Sequence, residues 1–359
     1  MSAADLWAGL HADGLVEGER PDEADPPSPW YVRAMLGIAG WIGALFLFMF
    51  FGFAFTALMQ QAAFGLILGA ACSAAAWALF RSFEGQDFVE QFALATGLAG
   101  QALLILGLSE LVGPHAGPLF FAVALTLAVL ALAIPNFLYR VLAAAGAAIA
   151  LALATTQMAA SGIAVPMLVA GFAWVWAEPE RWAGKGRLWR PAGYGVALAL
   201  LILETSRLLD AESFFAPGNA AADALSAYWP LVGRAATAAI LVGAVVVLCL
   251  RQGRALESRT TLAAAGAALL LGFISLKATG LASALLILLL GFAAASRVLM
   301  TLGIAALLGF IGHFYYSLQW TLLDKAGTLA IAGICLLAAW FVLRSGGKPP
   351  APSGGAADA

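Results

Sequence analysis

The chain is 359 residues long, 63% hydrophobic and only 11% charged, with a formal net charge of −2 and a mean hydropathy of +0.93. A water-soluble domain of this size needs far more charge to cover its surface, and no basic face of the kind that binds nucleic acid is present. The apolar residues come in uninterrupted runs near the roughly 20 residues that a helix needs to cross a bilayer, with little of the alternation of a membrane barrel, which defines an all-α, polytopic transmembrane helical bundle.

Residues 1–31 are expected to form a cytoplasmic segment. Within it, "SAADLWAGLHADGLVEGE" reads as a short amphipathic helix, with Ser2 or Asp5 as its cap and Leu6, Trp7 and Leu10 on one side. Its acidic remainder argues against docking on anionic lipid, so it is expected to rest on the inner ends of the spans. The first 29 residues hold seven acids and one Arg, the opposite of a basic signal-peptide start. The first long apolar run, after "PPSPWYVR", is therefore expected to be an uncleaved span.

Hydrophobic runs place twelve spans at about 32–58, 62–80, 88–112, 117–134, 138–160, 162–177, 192–209, 228–250, 260–276, 280–296, 298–318 and 327–343. The domain they form, 32–343, is followed by a disordered cytoplasmic tail at 344–359. Charge tests this division independently. With the N-terminus inside, fourteen of the 18 Lys and Arg fall in inside segments, and only Arg207, Arg234, Lys277 and Lys325 fall outside. The positive-inside rule thus supports an even number of spans with both termini cytoplasmic.

The largest inside loop, "AEPERWAGKGRLWRP", holds four basic residues and two Trp. It serves as a topology anchor with interfacial aromatics, or as a binding spot for anionic lipid head groups. The largest outside segment, about 207–230, is acidic and punctuated by Pro and Gly, a surface for a partner or ligand.

Polar residues near the outer span ends are the candidates for chemistry. Glu204 and Arg207 are i, i+3 neighbours near the end of span seven, where a guanidinium facing a carboxylate lowers the cost of placing both below the head groups. Glu110 near the end of span three, His115 in the following turn and His313 in span eleven lie on the same side. Facing one cavity, Glu110, Glu204, Arg207 and His313 would form a proton- or substrate-binding site. Alternatively, each sits at a span end in contact with interfacial water. The outer-turn stretch "GHFYYSLQWTLLDKAGTL" adds Tyr315, Tyr316, Asp324 and Lys325. Its aromatics suit the membrane–water boundary, and Lys325 can snorkel outward. Gln101, Thr155, Thr156 and Gln157 read as interhelical hydrogen bonds, and the many Ala and Gly as sites of close helix approach.

No zinc-protease, P-loop or nucleophile-elbow motif is present, and the three Cys and three His lack metal-ligand spacing, so neither an enzyme activity nor a metal or other cofactor is expected.

Two stretches carry a family resemblance. "DLWAGLHADGLVEGERP…SPWYVRAMLGIAGWIGALFLFMFFG" resembles the opening of a bacterial multi-pass family called domain of unknown function 4401, and "LLGFIGHFYYSLQWTLLDKAGTLAIAGICLL" resembles its closing segment. Ala326 stands where that segment is expected to have Ser. The resemblance implies a multi-pass protein of the bacterial inner membrane and a neighbouring membrane protein with a GDYXXLXY motif; it supplies no catalytic residues. The expected function is a non-enzymatic, membrane-embedded interaction subunit of an envelope complex. The alternative is a proton-coupled secondary transporter or channel-like protein for a small solute.

Overall fold

The fold was analysed in a computed structural model. It describes residues 3–16, 29–54, 61–83, 85–113, 117–157, 162–178, 180, 184–208 and 228–317, together with Ala330, Gly333, Ile334 and Leu337. Among the described residues the elements are α1 (Ala3–Ala12), α2 (Trp30–Ala54), α3 (Ala62–Ser82), α4 (Asp87–Val112), α5 (Gly117–Ala133), α6 (Phe137–Gln157), α7 (Ala164–Ala177), α8 (Gly186–Leu208), α9 (Trp229–Arg251), α10 (Arg259–Ser275), α11 (Leu281–Ala293) and α12 (Arg297–Ser317).

Helices α2 to α12 occupy the first eleven segments expected from the hydrophobic runs. Five of them, α3, α4, α6, α9 and α12, are long and apolar enough to cross a membrane. The 21 residues of α3 span about 31 Å at the helical rise, a bilayer core's thickness. Helices α5, α7, α10 and α11 are also apolar but have 17, 14, 17 and 13 residues, short of that length. Most of the expected twelfth segment, 327–343, lies outside the described residues, as do 344–359.

Sequence neighbours pair as hairpins: α3 with α4, α5 with α6, α9 with α10, and α11 with α12. Helix α2 lies on α4, while α6 and α8 form the seam joining the two halves of the chain, and α7 packs on α8 and α9. Small residues set these approaches. At Gly69 on α3 an added Cβ would lie 2.8 Å from the Leu104 backbone nitrogen and 2.9 Å from the Gly100 carbonyl oxygen on α4. Gly65 and Gly107 repeat the arrangement farther along the same pair. In lipid, where hydrophobic exclusion between helices vanishes, such backbone-to-backbone van der Waals contact holds helices together.

The residue distribution across helices fits an apolar surrounding. On α10 the buried side carries Thr261, Ala268, Gly272 and Ser275, whereas Leu262, Leu269 and Phe273 point outward. A water-soluble helix would do the reverse. The largest apolar cluster lies between α7, α8, α11 and α12, around Phe172, Leu200, Leu286, Ile287, Leu290 and Leu299.

At the seam, one arginine completes three backbone groups. Pro191, inside α8, has no N–H with which to bond the Arg187 carbonyl one turn earlier. Arg140 of α6 supplies the missing donor: its Nη1 reaches the Arg187 oxygen at 2.9 Å. The same guanidinium donates from Nε to the Ile134 carbonyl at 2.9 Å and from Nη2 to the Leu132 carbonyl at 3.4 Å, at the end of α5. These carbonyls lie where a helix end leaves acceptors without intrahelical partners. Asn136 caps the start of α6, its Oδ1 accepting from the Tyr139 backbone N–H at 3.0 Å.

Candidate functional site

The buried side of α8 is built almost wholly from small or apolar residues, Gly193, Gly195, Ala197, Ala199 and Leu200, until it reaches Glu204. That carboxylate is only 5% exposed. Ser283 of α11, 1% exposed, donates its hydroxyl to Glu204 Oε1 at 2.7 Å. A bond to a charged acceptor is short and strong, and it offsets part of the desolvation of a buried carboxylate.

Arg207, one turn farther along α8, and Arg234, from α9, line the same cavity as Glu204. Arg234 Nη1 also donates to the Leu276 carbonyl at the end of α10, at 3.1 Å. The hydroxyls of Thr237 and Ser275 complete the polar wall, each donating to its own helix, to Gly233 at 3.0 Å and to Gly272 at 2.6 Å. Four helices therefore bring charged and hydroxyl groups to one point. The space between them admits about 20 Å³, enough for one water. Gly280 forms the turn into α11 with φ +84°, a left-handed conformation that a side chain disfavours.

His313 belongs to a separate cavity of about 290 Å³, lined by Leu201, Thr205 and Leu208 of α8 and by Ala305, Ala306, Gly309, Phe310 and His313 of α12. The Phe310 ring, which lines this cavity, packs on Gly280 of the first so closely that an added Cβ there would lie 2.7 Å from the ring. Glu204 and Thr205, adjacent in sequence, thus face different cavities.

The structure brings Glu204 and Arg207 together, adds Arg234 and Ser283, and places His313 in a different cavity. Glu110 is exposed in the last turn of α4 and lines neither cavity. Tyr315 and Tyr316 end α12 with their rings edge to face at 5.5 Å, Tyr316 being 84% exposed. His115, Asp324 and Lys325 lie outside the described residues, as does most of 207–230. Ser283 escaped the sequence reading because it is one hydroxyl in a run of Ala and Leu. Thr237 is likewise the one hydroxyl of α9, and Ser275 ends α10.

A third, larger cavity of about 910 Å³ opens near the starts of α8 and α12. The first turns of α8 form one wall, with Arg187, Trp189 and Arg190. Tyr194, Ser296 and Arg297 also line it, and the Tyr194 and Ser296 hydroxyls share a hydrogen bond at 2.9 Å.

Helices long and apolar enough to cross a membrane, joined through small-residue contacts and buried polar groups, define the class as a helical protein of membrane character. The chain belongs to the family described as Domain of unknown function (DUF4401), which it matches over residues 29–345. No curated protein and no solved structure matches it.

Proposed function

We propose that the chain is a twelve-span protein of the bacterial inner membrane, with both termini cytoplasmic, that acts as a non-enzymatic subunit by binding another envelope protein. The partner implied by the family resemblance is the membrane protein with the GDYXXLXY motif. The observation that supports this reading is the narrow Glu204 site between helices. Residues of α8, α9 and α10 line a space that admits about one water, and Ser283 of α11 bonds Glu204, so the polar groups there join helices to one another. The test is extraction of the full chain in native lipid, followed by mass spectrometry of what remains bound. A membrane protein retained in stoichiometric amount, and lost when the 207–230 segment is replaced by a Gly/Ser linker, is the expected result. Recovery of the chain alone overturns the reading.

A second reading, a proton-coupled carrier or channel-like protein for a small solute, draws on the 290 Å³ cavity that places His313 opposite Thr205, next in sequence to Glu204. Ionisable groups at membrane depth are the usual parts of a proton relay. Proton-driven solute uptake in proteoliposomes that is abolished by Glu204→Gln and by His313→Ala would favour it over the subunit reading. Uptake indifferent to both substitutions removes its mechanism.

A further inference from the structure

The geometry points to the 910 Å³ cavity near the starts of α8 and α12 as a binding site for the phosphate of an anionic phospholipid head group. The inference rests on membrane placement alone and not on the subunit reading. Three arginines, Arg187, Arg190 and Arg297, line the cavity, and no Asp or Glu is among its described lining residues. Two of them come from the first turns of α8 and one opens α12. Both helices begin at this cavity, so their first backbone N–H groups add positive potential and donors. Guanidinium groups in such a setting match phosphate oxygens in pairs.

Trp176 also lines the cavity, with its indole Nε1 packed against Gly193 of α8. The volume falls within the range of ligand sites.

The choice of a lipid over a free phosphate compound follows from the walls and the level. Phe137, Val175 and Val298 make part of the lining apolar, as an entering glycerol and the tops of acyl chains require. The cavity sits at helix ends, flanked by the Trp and Tyr typical of the membrane–water boundary. It also lies on the side to which the Lys and Arg distribution assigns the cytoplasm, where basic pockets between helices meet anionic head groups. Arg140, by fixing the Arg187 carbonyl, holds the first turn of α8 in place against this cavity.

The test uses the full chain in neutral detergent, with lipid retention read by native mass spectrometry. Phosphatidylglycerol is the anionic probe and phosphatidylcholine the neutral one. The wild-type chain is expected to prefer phosphatidylglycerol. Replacing Arg187, Arg190 and Arg297 together by Gln should weaken that binding roughly a hundredfold, to the level of the neutral lipid. Arg254→Gln and Arg259→Gln, which remove basic residues outside the cavity, should leave it unchanged. If the triple variant does not fold, Arg297→Gln alone is expected to weaken binding about fivefold. Wild-type retention in a folded triple variant, or in Arg297→Gln, overturns the proposal. Displacement of phosphatidylglycerol by inorganic phosphate alone would also overturn it, assigning the cavity to a soluble anion. Failure to capture a protein partner leaves this result untouched, so the two ideas fail separately.

Discussion

Arg140 gives the Arg187 carbonyl the hydrogen bond that Pro191 cannot, and so a proline inside α8 is compensated by a guanidinium from α6. The proline and the arginine are therefore energetically coupled. Arg140→Ala should destabilise the chain by about 2 kcal/mol, because three carbonyls lose a charged donor. In Arg140→Ala/Pro191→Ala the new N–H at 191 can bond the Arg187 oxygen, and part of that loss should return. Thermal unfolding of the four variants in detergent measures the coupling. Strict additivity would contradict it.

Arg140→Lys should behave much like Arg140→Ala. An ammonium is a single point of charge and cannot reach the Leu132, Ile134 and Arg187 oxygens together. An unfolding midpoint equal to that of the wild type would show that charge, rather than the guanidinium's shape, is what α6 requires.

Ser283→Ala removes the hydroxyl bonded to Glu204 at 2.7 Å and leaves one carboxylate oxygen short of a donor. The expected loss is about 1–2 kcal/mol, within the span measured for polar contacts between membrane helices. Glu204→Ala should cost more than Ser283→Ala, since it removes the one carboxylate among the described residues that line the cavity with Arg207 and Arg234. Unfolding midpoints compared across the two variants give the order, and a reversed order would mean that Glu204 contributes little.

Gly69→Ala and Gly171→Ala should separate sharply. At Gly69 the new methyl meets backbone of α4 at 2.8 Å, so the helices must part, at a cost of about 1–3 kcal/mol. At Gly171 of α7 nothing lies within 4 Å, and the higher helix propensity of Ala should leave stability unchanged or slightly raised. Thermal unfolding of both single variants checks this contrast.

Helices were legible because long apolar runs separated by Pro, Gly and charge admit few other structures. Helix α8 shows the limit. Its Glu204 and Arg207 are visible as a pair three residues apart, since both lie on one helix. Ser283 and Arg234, which complete the site, come from α11 and α9, and no local pattern records which faces of different helices meet. For the same reason the sequence leaves two alternatives for His313, Glu110 and Glu204, one shared cavity or separate span ends, since all it records is their nearness to one membrane surface. In the fold His313 and Glu204 line different cavities, with Phe310 lining the first and packing on Gly280 of the second, and Glu110 belongs to the α3–α4 pair. The basic loop at 178–191 stood out by composition, whereas Arg297 and Ser296, more than a hundred residues later, had nothing to link them to it.

The outward Leu and Phe of α10, set against its inward Gly, Ala and Thr, bear on how the molecule is best dissected. Replacement by alanine, the customary probe of side-chain importance, would report little here: much of what joins the helices is already Ala or Gly, and the bulky groups it would truncate face the surroundings. Informative substitutions add atoms. A systematic replacement by leucine should pass almost silently over the exposed Ala267 and Phe273 and halt assembly at Ala268 and Gly272, tracing each helix's cohesive face by what it refuses to accommodate.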